Sequence, residues 1–260
     1  MIIILDYEST GIDTKVARVT EIGAMLVDMN FNPVGPFVSR LVWGSNYPAI
    51  TPEVEMVTGI NQLLLDKEAV EPAVAFKELG NLLTEDVQFI LAYNREYDQS
   101  LFMAEMERHQ FFTDPRLKKM AAMPWICGMA DVETNYQKKC WKLSHLALDY
   151  GVTVDPSILH RAINDVELTR QMLVAAKANP LEMYQYQLSP WIFVRAKVAK
   201  PWTDGGESSG RAKALGYSWE KAKGDNTKVF DKTWVKRIKE KDWEATRKAA
   251  EQALIQVEVI

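Results

Sequence analysis

The chain has 260 residues, 47% of them hydrophobic, with 31 Lys+Arg against 35 Asp+Glu and a net charge of −4. That is an ordinary globular composition, long enough for one generous domain or for a domain with an extension. No stretch approaches the roughly 18 apolar residues of a membrane helix, and the opening Met-Ile-Ile-Ile-Leu-Asp lacks the basic and long apolar regions of a secretory leader, so the cytoplasm is the expected address.

The first elements read as strands. Residues 2–5 are an apolar run, 16–29 are β-rich, and 33–43 follow a polar turn, which together predict a three-strand meander. Thr51-Pro52-Glu53 has the pattern of a helix N-cap followed by Pro at the first helical position, and residues 72–84 carry apolar side chains at helical spacing. Residues 87–93 predict a buried strand, 97–109 an amphipathic helix, 125–130 a further strand, and 143–150 and 164–178 two more helices. The order β-β-β-α-β-α-β-α-α predicts an α/β fold, a mixed sheet flanked by helices. Asn179-Pro180 is expected to stop the last helix, leaving 179–190 as a linker. Beyond it come a strand at 191–198, a Gly/Ser loop, a short helix at 211–215, a hairpin with Trp219 and Trp234, and a charged helix at 242–256: a small α+β extension.

Charge divides along the same line. Residues 1–190 hold 16 Lys+Arg and 25 Asp+Glu, net −9, whereas 191–260 hold 15 and 10, net +5. Acidic groups gathered at one place bind divalent cations, and a basic segment can hold a phosphate backbone nearby, although charge runs are usually only solvated faces. Cys127 and Cys140 are too few for a disulfide framework and lack metal-ligand spacing, so both read as reduced thiols.

Asp6 and Glu8 close the first strand. Alternate residues of a strand share a face, so the two carboxylates converge, which is costly unless a cation neutralises them. A lone Asp-x-Glu is most simply a turn with two solvated acids. Asp98 opens a helix after a buried strand, where an acid favours the positive end of the helix dipole in any case. His160 and Asp165 are five residues apart, about 500° of helix, so their side chains would diverge by roughly 140° if both were helical. They converge only if His160 sits on the loop before the helix. Asn164 could then be the N-cap with Asp165 in the first turn, or the helix could start a few residues sooner with Asp165 deeper inside it.

Five motifs in this order, Asp6-Tyr-Glu-Ser-Thr-Gly11, Arg18-Val-Thr-Glu-Ile-Gly-Ala24, Thr58-Gly-Ile60, Ala92-Tyr-Asn-Arg-Glu-Tyr-Asp98, and Leu143-Ser-His-Leu-Ala with His160-Arg-Ala-Ile-Asn-Asp165, resemble the DEDDh exonucleases, the proofreading-exonuclease-like branch of the ribonuclease H-like fold. The resemblance covers residues 1–178. Arg161 stands where the tyrosine-containing branch would have Tyr. The resemblance implies a divalent-metal-dependent 3′-to-5′ exonuclease releasing nucleoside 5′-monophosphates. Asp6, Glu8, Asp98 and Asp165 would hold two Mg²⁺ or Mn²⁺, with His160 as the general base toward the attacking water. Hard oxygen ligands suit those ions rather than zinc, and imidazole suits proton abstraction near neutral pH. It further implies that Thr10 lies near the terminal sugar, Ile12 beside the base and Ile60 on another face of it, with Asn94 shaping the site. The chain departs from relatives that have His at the positions of Thr58 and Tyr93 and Phe at that of Tyr97.

In the extension, Gly205-Gly-Glu-Ser-Ser-Gly210 has the glycine spacing of a phosphate-binding loop, but Arg211 and Ala212 replace its Lys and hydroxyl residues, which excludes nucleotide hydrolysis there. Ala212-Lys-Ala-Leu-Gly-Tyr-Ser-Trp219 and Thr233-Trp-Val-Lys-Arg237 resemble the tail of exonuclease X-like proteins. Trp191, Trp202, Trp219 and Trp234 are interleaved with Lys221, Lys223, Lys228, Lys232, Lys236, Arg237, Lys239 and Lys241. Exposed aromatics can stack on bases while cations follow a single strand; for Trp219 and Trp234, packing in a small core is favoured. The expected partner is single-stranded DNA rather than RNA, in repair, recombination or replication. RNA trimming, proofreading in trans and a non-catalytic nucleic-acid-binding module are the alternatives. His109 is expected to be solvated and His145 to be a helix residue at the core edge.

Overall fold

The apolar run that opens the chain becomes the middle of a sheet. Strands β1 (Ile2–Ser9), β2 (Val19–Val27), β3 (Pro33–Leu41), β4 (Phe89–Ala92) and β5 (Trp125–Cys127) lie in the order β3-β2-β1-β4-β5. The β1–β2 and β2–β3 pairs are antiparallel; β1–β4 and β4–β5 are parallel. The computed structural model describes residues 1–132, 142–157, 159–223 and 229–260, the side chains at 201–202, 220–223 and 229–232 excepted.

Helices cover both faces of this sheet: α1 (Pro52–Thr58), α2 (Gln62–Glu68), α3 (Pro72–Asn81), α4 (Arg95–Arg108), α5 (Pro115–Ala122), α6 (Leu143–Asp149), α7 (Ala162–Ala175) and α8 (Pro180–Leu188). Central strands buried on both sides read as continuous apolar runs, and Ile2, Ile3, Ile4 and Leu5 are all buried. Their alternation sorts them between two cores. Ile3, Leu5 and Tyr7 pack with Phe76, Leu101 and Phe102 of α3 and α4, whereas Ile2 and Ile4 pack with Leu146, Val166 and Met172 of α6 and α7. Each such side chain contributes about 1.5–3 kcal/mol when fully buried.

The mixed sheet flanked by helices is the architecture the sequence predicts, and Thr51 caps α1 by accepting from the Val54 N–H. Two short helices go beyond the expected order. The α5 helix has a readable start, with Asp114 capping through the Arg116 and Leu117 amides and Pro115 at the first position; α2 is capped by Asn61. The 179–190 segment holds a helix the sequence reading did not expect: residues Pro180–Leu188 are helical, with the Asn179 side chain accepting from the Leu181 and Glu182 amides. Pro180 begins this helix, because its missing N–H costs nothing in a first turn, whereas the previous helix ends earlier, at Ala175, with Lys177 at a left-handed φ of 53°. The chain divides into two compact units, Met1–Tyr184 and Gln185–Ile260, so the division falls within α8.

In the second unit, β6 (Trp191–Lys197), α9 (Pro201–Asp204), α10 (Glu207–Ala214), β7 (Ser218–Lys223), β8 (Val229–Lys239), α11 (Trp243–Gln252) and β9 (Gln256–Val259) build an antiparallel sheet of order β7-β8-β6-β9. Its core is Val194, Ala196, Ala212, Ile238, Ala250 and Ile255. The charged helix expected to reach residue 256 ends at Gln252. Leu254 takes a left-handed φ of 56°, and the alternating residues that follow pair with β6. Gly205 and Gly206 have φ of 64° and 85°, turning α9 into α10, and the Asp204 carboxylate accepts from the Gly206 and Ser208 amides. The glycines thus serve a capped turn.

Trp234 packs on this core while its cross-strand neighbour Trp219 is 54% exposed, the rings 5.8 Å apart. Two expected phosphate contacts are corrected. Lys239 is buried and donates to the carbonyls of Gln187 and Ser189, and Lys236 donates to that of Leu215. Arg237 lies 4.7 Å from the Trp191 ring centre and Lys241 4.4 Å from that of Tyr186. Cys140, Lys228 and the side chains of Trp202, Lys221, Lys223 and Lys232 lie outside the described residues. Among the described residues, no helix is long and apolar enough to cross a membrane.

Candidate active site

Asp6 and Glu8 follow Ile2 and Ile4 on the α7 side of β1, beyond the last residue paired with β4. β1 thus runs on past its pairing with β4, at the level where β4 gives way to α4. Asn94 occupies the N-cap position of α4, which puts Asp98 in its first turn. Asp98 is buried and accepts the Tyr7 N–H at 3.2 Å, reaching β1 from the opposite side of the sheet.

His160 and Asp165 meet as the spacing requires. The chain takes a left-handed φ of 61° at His160, and α7 begins only at Ala162. Of the two alternatives left open by the sequence, the helix starts sooner, with Arg161 at the N-cap position and Asn164 inside. One ligand atom from each of Glu8, His160 and Asp165 lies within 4.8 Å of the others. Asp6 is placed among the same acids: burial first, then Asp98, Glu8 and Asp165, push its carboxyl well above the usual range. Burial, followed by Asp165 and Glu21, pushes Glu8 up to about 9. Burial pushes Asp98 up to about 8 against the hydrogen bond from Tyr7. Asp165 is also raised by burial, against the opposing influence of His160.

Protein groups alone thus leave the four carboxylates short of positive charge. Among the described residues, the buried Asp165 Oδ1 atom has no hydrogen-bond partner. An orphaned buried oxygen beside several hard oxygen donors fits a divalent cation such as Mg²⁺ or Mn²⁺.

Around this centre, the loop after Glu8 is tied to α4. Tyr97 donates its hydroxyl proton to the Gly11 carbonyl at 2.7 Å and lies 2.5 Å from the Ser9 hydroxyl. Arg108, at the far end of α4, donates to the carbonyls of Thr14, Lys15 and Ala17. Thr10 spends its hydroxyl within this loop, accepting the Arg18 N–H. Ile12 projects from it and is 93% exposed, and Asn94 is exposed beside Asp98. Ile60 is corrected: it is fully buried with Leu41 and Leu65, so it has no surface to offer a base. His109 is corrected too, since it lies 2.9 Å from the buried Glu105 carboxylate and stacks on Phe111. His145 is an exposed residue of α6. Cys127 is a buried free thiol donating to the Tyr93 carbonyl.

Sequence reasoning missed Glu21, Gly23 and Arg161 as parts of the site. Glu21 is fully buried on β2 opposite Glu8, and its carboxylate receives the Arg161 guanidinium and the Ala162 N–H. The readable signal was an acid inside the apolar strand Val-Thr-Glu-Ile-Gly-Ala-Met-Leu-Val, since acids are rarely fully buried unless paired.

Known proteins agree with this architecture. The RNase_T family model, described as exonuclease, matches residues 3–173. No curated protein matches the sequence significantly. Among solved structures, E. coli exonuclease I in complex with a dA16 oligonucleotide is 14% identical with a TM-score of 0.64, the match covering 98% of this chain and 68% of that one. The zinc-ion-bound form of the E. coli exonuclease I–ssDNA complex is 15% identical with a TM-score of 0.61, covering 97% and 69%. An apo exonuclease I is 16% identical with a TM-score of 0.58, covering 80% and 51%. The chain spans half to two thirds of the length of these proteins, and at such identities the likeness is one of fold. The family match extends from β1 to the end of α7 and takes in both the acids and His160, so the chain belongs to the exonuclease family, in its DEDDh branch with a ribonuclease H-like fold.

Proposed function

We propose that the protein is a 3′-to-5′ exonuclease acting on single-stranded DNA and frayed 3′ ends, releasing nucleoside 5′-monophosphates. The observation that carries this reading is the convergence of Glu8, His160 and Asp165 within 4.8 Å, with Asp6 under the influence of Asp98, Glu8 and Asp165. Asp6, Glu8, Asp98 and Asp165 would hold two Mg²⁺ or Mn²⁺, which when bound would supply positive charge for an in-line phosphoryl displacement.

The chain's own groups do the rest. His160 takes the proton of the attacking water, the new bond forms at phosphorus, and the bond to the 3′ oxygen of the shortened strand breaks. That oxygen takes up a proton from solvent, His160 returns its own to solvent, and the phosphate departs on the released nucleotide. The pinned loop carrying Thr10 and Ile12 positions the terminal nucleotide, the exposed Ile12 giving its base an apolar surface. The dA16 oligonucleotide bound by a structural neighbour supports the choice of substrate. Arg237, Lys241 and the exposed Trp219 of the second unit hold the strand.

The test is a time course on matched 5′-labelled single-stranded DNA and RNA oligonucleotides with Mg²⁺ or Mn²⁺, with EDTA and Asp6→Ala as controls. A metal-dependent ladder shortening from the 3′ end of DNA is expected. Faster shortening of RNA moves the assignment to an exoribonuclease, and strand binding without cleavage moves it to a non-catalytic module.

A further inference from the structure

We infer that Glu21 and Arg161 are positioning residues that lock the turn carrying His160 onto the sheet and so hold the imidazole beside Glu8 and Asp165. The inference rests on the reading of His160 as the general base. Arg161 occupies the N-cap position of α7 but makes no side-chain cap bond there. The acceptor comes instead from β2: Glu21 Oε2 receives the Ala162 N–H at 3.1 Å, satisfying one of the helix's orphan donors. The Arg161 guanidinium grips the same carboxylate, Nη2 to Oε1 at 2.8 Å and Nε to Oε2 at 3.1 Å. A planar fork on a carboxylate fixes direction as well as distance.

These bonds fall on the two residues directly after His160, whose left-handed backbone a non-glycine residue keeps only where its surroundings hold it. Glu21 also lies across β1–β2 from Glu8. One carboxylate therefore references the histidine turn and the start of α7 to the strand that carries the catalytic acids. A further buried acid beside this site adds like charge, a cost that an apolar residue would avoid. Its retention makes sense if the bonds orient catalytic groups.

Arg161, whose side chain is 41% exposed, is the variant that decides, because its removal leaves the core intact. We expect Arg161→Ala to lower kcat by about 10–100-fold, as loss of an orienting partner does, with KM little changed and partial recovery in Arg161→Lys. The double variant His160→Ala/Arg161→Ala should be no slower than His160→Ala alone, since a group acting through His160 has no further effect once it is gone. The protein has 3 histidines, so their ring signals are separable by NMR. Arg161→Ala and Glu21→Gln should shift or broaden the signal lost in His160→Ala and leave those of His109 and His145 in place. An unmoved His160 signal, or equal slowing by Arg161→Ala with and without His160, would overturn the inference. Failure of the wild type to cleave any strand would overturn the nuclease reading instead, and the NMR comparison would still decide this one.

Discussion

Burial and mutual repulsion, more than any single contact, set the behaviour of the acidic side chains. A carboxyl whose folded value is raised contributes full stability below its unfolded value near 4, and that stability is lost as pH rises through the folded value. With Glu8 raised to about 9 and Asp98 to about 8, protein in EDTA should melt at progressively lower temperature between pH 5 and 9. Glu8→Gln should flatten this slope and melt higher than wild type at pH 8, by about 2–4 °C per kcal/mol of repulsion relieved. Mg²⁺ or Mn²⁺ should raise the wild-type midpoint more than that of the variant. A wild-type midpoint rising with pH in EDTA would contradict the burial of these groups. For the chemical step, His160→Ala should lower kcat by about 10²–10⁴-fold with little change in Mn²⁺ affinity by calorimetry. Loss of ion binding with unchanged turnover at saturating metal would mean that His160 is a ligand rather than a base.

Whole elements carry the precision of the site. Gly23 lies opposite Asp6, and a Cβ there would sit 2.3 Å from the Ala162 carbonyl carbon and 2.4 Å from the Ile163 nitrogen. Backbone cannot yield as a flexible side-chain tip does, so Gly23→Ala must push the start of α7 away from β2. We expect a destabilisation of about 1–3 kcal/mol in urea melts and a rate loss of about 10²-fold, as for a displacement of about 1 Å at a reacting group. Wild-type activity in this variant would show that α7 tolerates displacement. The α4 helix acts differently, holding the loop after Glu8 through Tyr97 at its start and Arg108 at its end. If this loop positions the terminal nucleotide, Arg108→Ala should raise KM for a single-stranded oligonucleotide more than it lowers kcat. A kcat effect alone would place the loop in the chemical step.

At the scale of the whole molecule, an acidic exonuclease unit is joined to a basic unit with its own sheet and core. If Arg237 and Lys241 meet phosphates, Arg237→Gln and Lys241→Gln should each reduce the slope of log affinity against log salt by about 0.7, the value for one single-strand contact. Lys239→Gln should instead lower stability, since its ammonium ties down the carbonyls that end α8. An unchanged salt slope in both Arg237→Gln and Lys241→Gln would remove these two cations from strand binding.

Much of the first unit was legible because its signals are local. Ile2 to Leu5 announce a strand buried on both faces, Thr51-Pro52 a helix start, and the distance from His160 to Asp165 a turn followed by a helix. Acids and a histidine in this order carried the resemblance to the exonuclease family, and the family match over residues 3–173 bears that resemblance out. The helix at Pro180–Leu188 and the strand at Gln256–Val259 were missed where a local signal was ambiguous: proline both ends and begins helices, and the last strand is only 4 residues long. Tertiary structure alone decided the rest. That Glu21 grips the turn after His160, that Gly23 admits α7, that Ile60 is sealed in a core and that Lys239 closes a helix end are relations between residues far apart in the chain. Periodicity records which face a residue occupies; it carries no information about which distant backbone that face will meet.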